Sequence, residues 1–86
     1  MRTQEEIKIQ IEGLENEKQT LPKYSSFGDP THAIIEAQIS ILDGSNDLTD
    51  FDDGNWEEMD EDHKIYCGAE DAYNWLQGYS DYDLFG

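Results

Sequence analysis

Between Asp43 and Gly86 the chain carries fourteen Asp and Glu residues against one cation, Lys64. Half of an 86-residue protein thus holds thirteen of its sixteen net negative charges. A stretch this one-sided costs folding free energy through self-repulsion and sets up a field that attracts cationic surfaces. The fold has to leave it exposed and draw its core from the apolar stripes that run between the charges.

Those stripes have helical spacing. Thr3-Gln4-Glu5-Glu6 has the form of a capping box, in which the Thr3 hydroxyl and the Glu6 carboxylate each satisfy a free backbone N–H at a helix start. A helix is expected from about 3 to 20, with Ile7, Ile11 and Leu14 on one face and Leu21 continuing it. Pro22 ends it. Residues 22–29 read as a loop in which Tyr24 and Phe27 fold back over the helices, and Asp29-Pro30 reads as a cap followed by the first helical residue. The second helix, about 30–43, places Ile35, Ile39 and Leu42 on one stripe, widened by Ile34 and Ile41, and is expected to be the most buried element. Gly44 closes it in a left-handed conformation.

Residues 44–55 read as an exposed acidic loop with Leu48 and Phe51 as anchors. Asn55-Trp56-Glu57-Glu58 repeats the capping logic and predicts a third helix over about 56–77, ending before Gly78. Its apolar positions form two series, Trp56, Met59, His63, Tyr66 and then Ile65, Ala69, Ala72, Leu76, flanked by Tyr73 and Trp75. Gly68 lies where the series meet and marks either a kink or a close approach to the second helix. The tail, 78–86, alternates aromatic and acidic residues. The expectation is one all-α domain over residues 1–86, a helical hairpin plus a third helix, with no internal repeat.

Composition narrows the function classes. Hydrophobic residues make up 36% of the chain, yet ten aromatics distinguish it from a disordered acidic tail. Cys67 is alone, so no internal disulfide exists, and a reduced thiol suits a cytoplasmic protein. No apolar run reaches the roughly 18 residues of a membrane span, and the N-terminal residues lack the apolar core of a signal peptide. Anionic headgroups and nucleic acid would both be repelled, which excludes membranes and direct DNA or RNA binding.

The residue pattern bears on three kinds of site. An EF-hand with Gly54 at its sixth position would place Thr49, Phe51, Asp53 and Asp60 in the ligand slots, so two early ligands are missing. His63 and Cys67, four apart on a helix, with Asp60 and His32, have the residue types of a zinc site, but a hydrogen-bonded structural histidine is the expectation. Carboxylate pairs are too common here to indicate hydrolysis, and no nucleophile triad or Gly-rich phosphate loop is present. An enzyme is not expected, and no metal or other cofactor is called for.

The charge pattern remains. Carboxylates on the loop and along the third helix, about 33 Å long over 22 residues, approach the charge density of duplex DNA, one per roughly 1.7 Å. Asp47, Asp50, Asp52, Asp53, Glu57, Glu58, Asp60, Glu61 and Asp62 form the candidate partner-binding array, with Tyr82 and Phe85 as aromatic anchors in the tail. With its acidic stretch from Asp47 to Asp62 and its tail from Tyr79 to Phe85, the chain resembles the small DNA-mimic inhibitors of phages and mobile elements, anti-restriction and anti-CRISPR proteins among them. The resemblance implies a non-enzymatic inhibitor that acts in the cytoplasm of a bacterial host cell and blocks the DNA- or guide-binding surface of a basic CRISPR or restriction complex. The first 42 residues then serve as scaffold or as a homodimerisation surface. The alternative is an acidic adaptor or regulatory module whose C-terminal aromatics carry the binding energy.

Overall fold

The structure is a computed structural model that describes residues 2–20, 31–55, 57–58, 60–82 and 84. The expectations for Leu21, Pro22, the 22–29 loop, the Asp29-Pro30 cap, Trp56, Met59 and Phe85 lie outside the described residues. The fold is all-α: α1 spans Gln4–Thr20, α2 Thr31–Asp43 and α3 Glu61–Gln77, with a 3-10 turn at Leu48–Asp50.

α1 starts as its sequence dictates. The Glu6 N–H donates to Thr3 Oγ1 at 3.2 Å and the Thr3 N–H donates back to Glu6 Oε1 at 3.4 Å. These bonds hold the Glu6 carboxyl below the usual carboxylate range, with smaller help from Arg2. Ile7 and Leu14 are buried and Ile11 packs on the core from the edge, while Gln10 joins the buried face. Ile35, Ala37, Ile41 and Leu42 are buried on α2, which packs against both other helices and is the central element. Gly44, at φ +83°, ends it in the left-handed conformation that glycine adopts without steric cost.

The helix directions follow from which residues meet. Lys18, late on α1, pairs with Glu36, early on α2, at 2.7 Å, whereas Ile7 and Ile11 share a groove with Ile41 and Leu42. α1 and α2 are therefore antiparallel. Along α2 and α3 the positions advance together: Ile34 faces Gly68, Gln38 lies beside Asp71 and Asn74, and Leu42 lies near Leu76. These two helices run parallel, so residues 44–60 must travel back alongside the domain before α3 can begin. Leu48 and Phe51 pin that return segment to the core, and with Thr49, Asp52 and Asp53 they line a pocket shared with Tyr66 of α3.

Gly68 marks a close approach and no kink, since α3 is continuous through it. A Cβ there would lie 2.5 Å from Cγ2 of Ile34, so only glycine lets the helices reach this separation. Ala69, Ala72 and Trp75 fill the rest of the α2–α3 contact.

The start of α3 corrects the expected boundary of about 56. Asn55 does act as a cap, with its Oδ1 accepting from the N–H groups of Glu57 and Glu58, but it heads only an isolated turn. The helix begins at Glu61 behind Asp60, whose Oδ1 accepts from the His63 N–H at 2.8 Å. The physical reason is in the charges. A helix extended back to 56 would stack Glu57 on Glu61 and Glu58 on Asp62, two like-charge i, i+4 pairs that oppose helix formation. At 17 residues α3 is about 26 Å long, shorter than the expected 33 Å.

Candidate functional site

The return segment is held in shape by its own carboxylates. Asp50 Oδ2 accepts from the Asp47 N–H at 2.8 Å, Asp52 Oδ1 from the Gly54 N–H at 3.0 Å, and Asp60 Oδ2 from the Asn55 N–H at 3.0 Å. Gly54, at φ +62°, brings the backbone so close to Asp60 and the His63 backbone that a Cβ would collide with both. The His63 ring bridges segment and helix, with Nδ1 2.9 Å from the Asp53 carbonyl oxygen and Nε2 3.4 Å from Cys67 Sγ.

These bonds sort the predicted partner-binding residues. Asp50, Asp52 and Asp60 brace the backbone, and Asp60, with both oxygens engaged and the residue half-buried, is a structural group. Asp53, Glu57, Glu58, Glu61 and Asp62 are exposed and, among the described residues, their carboxylates make no hydrogen bond or ion pair. Asp47 is exposed beside them. The ion pairs among the described residues use Arg2 and Lys18, both on the α1 side of the molecule. The result is a braced acidic ridge around the start of α3 to which none of the described cations is paired.

The zinc arrangement does not assemble among the described residues. Asp60 is committed to the cap, His63 to the Asp53 carbonyl and Cys67, and His32 lines the groove between α1 and α2. No three His, Cys, Asp or Glu side chains converge on one point among the described residues. Burial pushes the Cys67 thiol up, and Glu70 and Asp71 push it further, the reverse of what an activated thiolate needs.

The tail packs in part. Leu84 sits on the core and its N–H donates to Gln10 Oε1 at 3.2 Å, whereas Tyr79 and Tyr82 are 77% and 85% exposed. Arg2, which no sequence pattern singles out, fastens this end. Its guanidinium lies 4.7 Å from the centre of the Trp75 ring, Nε donates to the Trp75 carbonyl at 3.0 Å, and Nη2 donates to the Ser80 carbonyl. No local pattern joins residues more than seventy positions apart. Comparison of the chain with protein-family models, with curated proteins and with solved structures found no match in any of the three.

Proposed function

We propose that this protein is a non-catalytic inhibitor that occupies the basic, nucleic-acid-binding surface of a defence complex by presenting DNA-like negative charge. One observation carries the reading: Asp53, Glu57, Glu58, Glu61 and Asp62 stand exposed on a braced ridge without a cation partner among the described residues. A backbone already braced beneath the carboxylates lowers the ordering cost of binding to a Lys- and Arg-lined groove. Its field speeds encounter with such a surface, and displaced counterions make the association sensitive to salt. A second reading, an adaptor anchored by tail aromatics, draws on the exposure of Tyr79 and Tyr82.

The test is a pull-down from bacterial lysate on immobilised protein, eluted in parallel by a salt gradient and by duplex DNA. Capture of a nucleic-acid-binding protein that both eluants release is the expected outcome. The Glu57→Lys, Glu58→Lys, Glu61→Lys triple variant should lose that capture while keeping its helical circular dichroism, since none of the three carboxylates braces the described backbone. Undiminished capture by the triple variant would overturn the reading, and capture lost only in Tyr79→Ala and Tyr82→Ala variants would favour the adaptor.

A further inference from the structure

Beside the C-terminal half of α3, a pocket of about 380 Å³ opens between α2, α3 and the tail. Gln38, Asp71, Asn74, Ser80, Tyr82 and Leu84 line it. Gln38 is the unusual member. It is only 7% exposed, its side chain makes no hydrogen bond within the described residues, and no fully enclosed side-chain N or O atom lacks a partner among them. A buried amide that is neither bonded nor sealed must reach its partner through the pocket. The Asn74 amide and the Asp71 carboxylate are likewise without a hydrogen bond among the described residues.

The chemistry on offer is one carboxylate and two side-chain amides from two helices, with a tyrosine and a leucine on the tail side. The amides can both donate and accept, so the selection comes from the Asp71 carboxylate and the surrounding negative field, which favour a cation. One carboxylate is too few for a divalent metal, and no metal-binding cluster lies here among the described residues. Partial burial raises the Asp71 pKa, as befits a carboxylate that lacks a cation nearby. A guanidinium matches the set better than an ammonium. Its planar fork donates in several directions at once, its face stacks on a tyrosine ring, and its methylene stem lies along apolar surface.

The chain supplies a precedent in the same turn. Arg2 is held by the Trp75 ring, by the carbonyls of Trp75 and Ser80, and by the Asp81 carboxylate at 3.4 Å. Ser80 thus contributes its carbonyl to one guanidinium site and lines the other pocket, which no cation of the described chain fills. We propose that the pocket between Gln38, Asp71, Asn74 and Tyr82 receives an arginine side chain of a basic partner protein. The partner's identity rests on the proposed function above; the pocket's preference for a guanidinium does not. With the acidic ridge at the start of α3 and this socket in its C-terminal half, about 14 Å of helix apart from Asp62 to Asp71, the ridge supplies long-range attraction and the socket fixes register.

The test uses N-acetyl-arginine methylamide as probe and N-acetyl-lysine methylamide as its comparison, titrated into 15N-labelled full-length protein and followed by NMR, side-chain amides included. The arginine probe should shift the Gln38 and Asn74 side-chain amides together with the backbone of residues 71–82, and the lysine probe should do so more weakly. Asp71→Asn should weaken the arginine probe about tenfold or more through loss of a charge-assisted bond. Asn74→Ala, at a half-buried rim position, is the second variant should Asp71→Asn disturb the fold. The ridge triple variant should bind the probe as wild type does, so failure of the socket and failure of the ridge are read separately. Shifts confined to the ridge, equal binding of both probes, or wild-type affinity in both pocket variants would each overturn the proposal.

Discussion

Arg2 shows how much a single side chain near a terminus can carry. It contributes three charge-assisted hydrogen bonds or ion pairs and a ring contact that tie the start of α1 to the end of α3 and the tail. Its side chain is only 19% exposed, so these contacts are less screened than a surface ion pair. Replacing Arg2 with Ala should cost about 2 kcal/mol, from the ring contact and the charged hydrogen bonds. Thermal denaturation would then show a midpoint roughly 10 °C lower for a domain of this size. Arg2→Lys should recover only part of the loss, because an ammonium lacks the fork that reaches two carbonyls at once. The carboxylates teach the complementary lesson. Asp60 and Glu58 look alike in the sequence, yet one has both oxygens committed to backbone N–H groups and the other accepts no hydrogen bond among the described residues. Which acidic residues are structural became legible only once their backbone donors were located.

At the scale of elements, capping chemistry was readable where the charges agreed with it. The Thr3–Glu6 box, the glycine ends of α2 and α3 and the apolar stripes of α1 and α2 all stand as their sequences predict. The start of α3 differs from its expected position because two residues, Asn55 and Asp60, each carry a competent cap, and propensity alone does not rank them. Like-charge stacking in the longer helix decides for Asp60. Asp60→Ala should therefore lower stability by about 1–2 kcal/mol, the upper part of the range for a lost N-cap, since it also releases the Asn55 N–H. Asn55→Ala should cost distinctly less, because it frees only an exposed single turn. Urea denaturation of the two variants measures the difference, and equal losses would return the helix start to Asn55.

At the scale of the molecule, a net charge of −16 sits on a body whose Cα radius of gyration is 12.6 Å, close to the roughly 12 Å expected of a compact chain of this length. Repulsion among those charges opposes compaction, and salt screens it over a Debye length of about 10 Å at 0.1 M. The melting temperature should therefore rise with sodium chloride from a few millimolar upward, even though the Arg2 and Lys18 pairs weaken; a fall would mean that the pairs outweigh the repulsion. No helix among the described residues is long and apolar enough to cross a membrane. The sequence by itself determined the all-α class, most helix ends, the apolar faces and the acidic stretch, because each depends on residues within one or two turns of each other. Tertiary structure alone decided that α2 and α3 run parallel, which forces residues 44–60 into a braced return along the surface. It alone also set Arg2 against Trp75, pressed Gly68 onto Ile34 and left the Gln38 amide open to a pocket. Those outcomes depend on packing between residues tens of positions apart, and periodicity and capping carry no information across that separation.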